Sequence, residues 1–362
     1  MKKFRKIKCI LSVFCILFVL NSCTSNKDSV IDLYNNSMMM TEIIPVENEF
    51  NESDNTPIQK PELIDDTEKI MKTLTSDEFK GRGDDTDGND KTVQYLNEQF
   101  TNIGLDYLFK DTYLHKYNFN GEVFPHFIRP NEEEHNVVGL IKGTNHAERK
   151  KAVVITAHID HVGYGLSVTG EKNQIYTGAI DNASGTTTLL RLAYKLKEMS
   201  KENLFETDII IAGVNHEEIG LVGSRALVND IKDRYESIYN INIDCVGVKG
   251  GSPLVVYSSD KRSPELSKLI FEYMDSTNEA IKKDTKIREY NSDHIPFEYN
   301  GIQTIFFMDT YPDKTIHRVT DNIDKIDFQR INNLVDNIAG FLRFNDKNFI
   351  SKREPLNTSI KD

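Results

Sequence analysis

Six short runs of this chain are dominated by apolar residues, several of them at nearly every position, and this pattern narrows the fold more than any other feature. They are 136–141, 152–156, 208–214, 238–243, 254–257 and 304–308. A strand with one face in water alternates apolar and polar residues; a strand covered on both faces by helices does not need to. Between the runs lie amphipathic stretches of helical length at 91–103, 185–199, 221–235, 263–274 and 327–342. The alternation predicts an α/β protein, a three-layer α/β/α sandwich around a mixed, mostly parallel central sheet. With 362 residues, 38% hydrophobic and 28% charged, the chain suits one large globular domain.

The ends read differently. Residues 1–22 carry five positive charges and no acid, and contain a 12-residue apolar run from Cys9 to Leu20, too short to span a bilayer stably. The run stops at Leu20-Asn21-Ser22-Cys23, which resembles a bacterial lipoprotein signal with Cys23 as the lipidated N-terminus. The expected protein is therefore exported and anchored in the bacterial cell envelope, with the membrane as a partner through that lipid. Residues 23–61, rich in Asn, Ser, Asp, Glu and Thr, read as a flexible tether. Residues 62–345 read as the folded domain and 346–362, with charged residues and Pro355, as a loose tail.

Loss of residues 1–22 removes five positive charges and takes the formal net charge from −12 to −17, which disfavours nucleic acid as a partner. Of the four cysteines, Cys9 and Cys15 would leave with the signal and Cys23 would be lipidated. Cys245 then has no partner for an intramolecular disulfide, and its place in an apolar run makes it a buried thiol.

In open α/β sheets, functional groups gather outside the carboxyl ends of the strands. Here those positions hold His158-Ile159-Asp160-His161, Asn215-His216-Glu217-Glu218, Asp244 and, further on, His317. The candidate ligands lie 23 to 73 residues apart, which excludes a helical HExxH site, and no cysteine cluster exists for a zinc finger. A site assembled from loops remains. Imidazole and carboxylate are the donors of catalytic zinc, and one carboxylate can bridge two ions about 3.5 Å apart that activate a water and hold a substrate carbonyl.

The motifs AHIDHVG (157–163), GAIDNASG (178–185), HEEIGLVGS (216–224), INID (241–244) and SDHIPF (292–297), with His317 before TDNIDKIDF, resemble the two-zinc aminopeptidases of the bacterial leucyl aminopeptidase and aminopeptidase Y type. With LTSDEFKGRG (74–83) and NVVGLIKG (136–143), the resemblance covers nearly all of 64–344. It implies a zinc-exopeptidase fold, two Zn²⁺ per chain and a peptide substrate cleaved at its N-terminus. It also implies that Asp181 bridges the ions, with His158 and Asp244 completing one site and Glu218 and His317 the other. Glu217 would be the general base, and Asp160 would orient His158.

Other readings stand beside this one. Asp181 to Ser184 could cap the following helix, and paired glutamates often form a solvated helix start. His161, His216 and His294 neighbour the motifs without holding a ligand position; His115, His126, His135 and His146 fall outside them. Where many relatives have tyrosine before the last histidine to help hold an oxyanion, this chain has Ile316, and Tyr311 is an alternative. Asp293 is a candidate for a hydrogen bond within the site, and 107–127 for a specificity pocket. Glutaminyl cyclases share the fold and a DHIPF-like segment but use one zinc and resemble one another in a tryptophan beside the last histidine; this chain has no tryptophan. A metal-free binding module is the non-enzymatic alternative, against which all five ligand positions and Glu217 hold competent residues.

Overall fold

The computed structural model describes residues 43–44, 66–84, 86–119, 133–164, 174–250, 253–286, 291–310 and 315–356. The signal segment, Cys23, most of the tether, His126 and Tyr311 lie outside the described residues.

Among the described residues, ten strands form one sheet: β1 (Ile43–Ile44), β2 (Asp106–Tyr107), β3 (Leu114–Phe119), β4 (Glu133–Ile141), β5 (Lys151–His158), β6 (Asp208–Val214), β7 (Ser237–Ile243), β8 (Leu254–Tyr257), β9 (Ile281–Asp284) and β10 (Gln303–Asp309). Their order is β1-β3-β4-β6-β5-β7-β10-β8-β9, with β2 beside β4. The central strands β6, β5, β7 and β10 run parallel; β4 and β8 pair antiparallel on either side of them. The helices are α1 (Thr67–Leu74), α2 (Gly88–Ile103), α3 (Ser184–Ser200), α4 (Val222–Ile231), α5 (Pro264–Asp275), α6 (His294–Tyr299) and α7 (Phe328–Asn345).

The near-continuous apolar runs are explained by two cores, one on each face. Val153, Ile155 and Ala157 join Ile209, Ile211, Ile241 and Ile305 beneath α1, α2, α3, α5 and α7. Their neighbours Ala152 and Val154 join Ile210, Ala212 and Val214 beneath α4 and α6. Each buried aliphatic side chain contributes about 1.5–3 kcal/mol, and a polar residue on either face is costly without a partner. One row of polar side chains is partnered: Thr156 Oγ1 donates to Asn242 Oδ1 at 2.7 Å, and Asn242 Nδ2 donates to Ser292 Oγ at 2.8 Å. This polar row runs beneath the sheet toward Asp244.

The stretch after α7, expected to be loose, is docked as far as Leu356. Asp346 accepts the amides of Glu206 and Thr207, Ile350 is 1% exposed, and Arg353 and Leu356 donate their amides to the carbonyls of Gly301 and Tyr299. Its charge and Pro355 concealed two anchoring side chains, Asp346 and Ile350.

The α6 residue His294 is fully buried, stacked on Phe306 at 4.5 Å between ring centres and edge-on to Tyr257. Burial pushes its pKa down from 6.5 to about 3. The unfolded chain therefore takes up a proton below pH 6.5 that the folded chain refuses until about pH 3, and stability falls with acidification across that window. From pH 7 to pH 5 this group alone should cost about 2 kcal/mol. Denaturant midpoints at the two pH values should show His294→Leu to be less acid-sensitive than the parent by that amount; equal sensitivity would contradict the assignment.

Candidate metal centre and active site

Strands β5, β6 and β7 are parallel and adjacent, so their carboxyl ends deliver their next residues to one place. His158 closes β5, Glu217 and Glu218 follow β6, and Asp244 follows β7. Asp181 comes from the turn before α3, and His317 from the segment between β10 and α7. All five side chains read from the sequence as metal ligands converge here.

They form two groups that share one carboxylate. His158 Nε2 lies 3.3 Å from Asp181 Oδ1 and 3.4 Å from Asp244 Oδ1. On the other side, His317 Nε2 lies 3.0 Å from Asp181 Oδ2 and 2.9 Å from Glu218 Oε2. His161 joins the second group, with Nδ1 3.0 Å from Glu218 Oε1 and 3.9 Å from Asp181 Oδ2. Ligands around an ion at about 2.1 Å stand roughly 3.4 Å apart, so these separations suit coordination. Asp244 Oδ1 is buried without a hydrogen bond, a costly state that a cation relieves. Burial works against a charge on His317, but Glu218 and Asp181 outweigh it and raise its pKa to about 12. Cation binding by these donors is therefore linked to release of a proton.

The surrounding residues fix these donors. Asp321 accepts the amides of Ile180 at 2.7 Å and Asp181 at 3.1 Å. Asn182 Oδ1 accepts from Gly185, and a Cβ at Gly185 would stand 2.3 Å from that oxygen, which explains the last glycine of GAIDNASG. Gly178 has φ +55°, and a side chain there would meet Asp181 O and the His161 ring. Ser292 Oγ, reached by the polar row under the sheet, donates to Asp244 Oδ2 at 2.8 Å.

Asp160 was expected to orient His158. Its carboxylate is 3.6 Å from His158 Nδ1, while its backbone oxygen lies at 3.2 Å. The carboxylate also accepts the amides of Glu217 at 3.2 Å and Glu218 at 3.1 Å, fixing the turn that carries both glutamates. Glu217 is partly buried, and burial, then Glu218, Asp293 and Asp244, hold its pKa well above the usual carboxylate range against the pull of His158. Asp293 is fully buried, and burial raises it to about 7. Ile316 packs against the core and offers no hydroxyl.

Sequence reasoning gave Arg82 no role. It is 0% exposed and donates to five carbonyls, those of Leu74, Ile159, Thr177, Gly178 and Asp181. Burial lowers its pKa to about 10, while Asp181 and Asp321 favour its charge. One guanidinium thereby ties α1, the turn after β5 and the Asp181 turn together. Arg82→Ala should destabilise the protein by about 3–5 kcal/mol, because the carbonyls lose their donor in a buried place. Urea unfolding at constant slope measures it, and a loss below about 1 kcal/mol would contradict this role.

This architecture and convergence of donors define a metallopeptidase core. The chain belongs to peptidase family M28, whose family model matches residues 136–342. Aminopeptidase YwaD of Bacillus subtilis (strain 168) is 28% identical over 212 residues, which are 56% of this chain and 42% of that protein; the chain thus spans less than half of this relative's length. Among solved structures, a leucine aminopeptidase precursor from Bacteroides thetaiotaomicron VPI-5482 is similar with a TM-score of 0.61 at 18% identity, covering 80% of this chain and 100% of that one. Glutaminyl cyclase from Bacteroides thetaiotaomicron, bound to N-acetylhistamine, gives 0.60 at 17%, covering 79% and 99%. These structural likenesses establish the shared fold; they do not separate hydrolysis from cyclisation.

Proposed function

We propose that the protein is an aminopeptidase that uses two zinc ions to remove N-terminal residues from peptides. One observation carries this reading: Asp181 presents its two oxygens to two separate donor groups, one with His158 and Asp244, the other with Glu218 and His317. A single-zinc cyclase needs only one such group, and the absence of tryptophan also speaks against it. Bound zinc would lower the pKa of a water and polarise the scissile carbonyl.

The chain's own residues do the rest. Glu217, placed by the Asp160 carboxylate and held in a partly desolvated position, takes a proton from the attacking water and passes it to the leaving amine. Its raised pKa helps that second transfer; bound cations would lower it again. The surplus of carboxylates around the donors favours a substrate with a free, positively charged amine. His161, beside Glu218, holds that ligand's second face.

Hydrolysis of aminoacyl substrates with free and acetylated amines tests the reading. Cleavage of the free-amine series alone supports it; ammonia release from N-terminal glutamine without hydrolysis would replace it by cyclisation.

We also propose that the protein is exported and held to the bacterial envelope by lipid on Cys23, which the charged, then apolar, residues 1–22 support. Labelled palmitate should enter the parent protein and not Cys23→Ser; equal labelling would refute the anchor.

A further inference from the structure

One other group of side chains among the described residues has the spacing of metal ligands. Asp84, Glu134 and His216 each place a donor atom within 4.8 Å of the others. They come from three separate parts of the chain: the segment before α2, the start of β4 and the turn after β6. His216 Nε2 stands 3.4 Å from Asp84 Oδ1 and 3.7 Å from Glu134 Oε2. These separations are long for charge-assisted hydrogen bonds, which favour about 2.7–2.9 Å. They are close to the roughly 3.4 Å between ligands of one ion, and to the His158 separations in the catalytic group.

The histidine is also held as a ligand would be. Its Nδ1 lies 2.8 Å from the hydroxyl of buried Tyr117, so with the proton on Nδ1 the Nε2 lone pair faces the two carboxylates. The ring is 3% exposed, whereas each carboxylate is 19% exposed, which leaves a path for an ion and for water ligands. His216 sits at φ +59°, in the left-handed region that a non-glycine residue occupies at a cost.

We propose that Asp84, Glu134 and His216 form a further divalent-cation site, separate from the catalytic pair, that takes zinc or manganese and braces the turn carrying Glu217. One imidazole and two carboxylates suit either ion. His216 directly precedes Glu217, and its carbonyl accepts the Val222 amide that starts α4. A cation here ties the β3–β4 edge, the segment before α2 and the general-base turn together.

The test counts metal. The purified full chain is stripped with chelator, reloaded with Zn²⁺ or Mn²⁺, and weighed by native mass spectrometry beside Asp84→Asn/Glu134→Gln and Asp181→Asn. The double variant should bind one equivalent fewer than the parent, while Asp181→Asn retains that equivalent and loses others. Equal counts in the parent and the double variant overturn the site and leave His216 as an imidazolium between two carboxylates. If the double variant does not fold, Glu134→Gln alone decides: at least tenfold weaker binding of the weakest equivalent supports the site, and an unchanged isotherm overturns it. Because the readout is a difference of one ion, it is independent of how many ions the catalytic group takes.

Discussion

Glu217→Gln is expected to keep its fold and its metal while losing roughly a thousandfold or more in kcat, at the upper part of the range that general acid–base groups supply. Glutamine occupies the same volume and accepts hydrogen bonds, but at neutral pH it cannot take the proton of the attacking water. The backbone amide that Asp160 grips is unchanged by the substitution, so the turn should stay in place. KM should move little, because the side chain acts in the transition state rather than in ground-state binding. Steady-state kinetics with a parallel metal count measures this. A variant with metal retained and kcat within tenfold of the parent would remove Glu217 from the mechanism.

Asp181→Asn should have an effect as large, by a different route. Its two oxygens face both donor groups, so one substitution removes a negative charge that the two share. Zinc affinity should fall by about a hundredfold or more, and with it kcat/KM. Thermal unfolding reports the loss without reference to turnover. An ion present at a thousand times its Kd adds about 4 kcal/mol to the stability of the parent, and most of that zinc-dependent rise in Tm should vanish in the variant. An equal rise in both proteins would show that Asp181 is no ligand.

Much of this arrangement can be read in the chain, for identifiable reasons. The strand 208–214 ends where its apolar run ends, because helices cover both faces and no polar residue blurs the boundary, and 254–257, buried at every position, does the same. β9, with two lysines in Ile281–Asp284, lies at the sheet edge and carries no such signal. Strand β3 is equally hidden: its His115 and Tyr117 are buried yet polar, and they are partnered by Asp230, Asn136 and His216. Those contacts span many residues in sequence and leave no periodic trace.

The site divides in the same way. His158 ends a strand and Glu218 and Asp244 follow strands, so topology alone points to them. Asp181 follows no strand, and only the GAIDNASG resemblance singled it out. Arg82, Asp321 and Ser292 act through backbone carbonyls, backbone amides and a ligand's second oxygen, and nothing local to each residue marks it for that use. The Asp160 carboxylate holds the general-base turn more directly than it holds His158, a distinction that depends on distances of 3.1–3.6 Å.

Anomalous scattering at the zinc edge, from crystals of the zinc-loaded protein, tests the central claim most directly. The account predicts two peaks flanking Asp181, one against His158 and Asp244, the other against Glu218 and His317. A single peak in the whole catalytic group, or a pair that does not share Asp181, would contradict it.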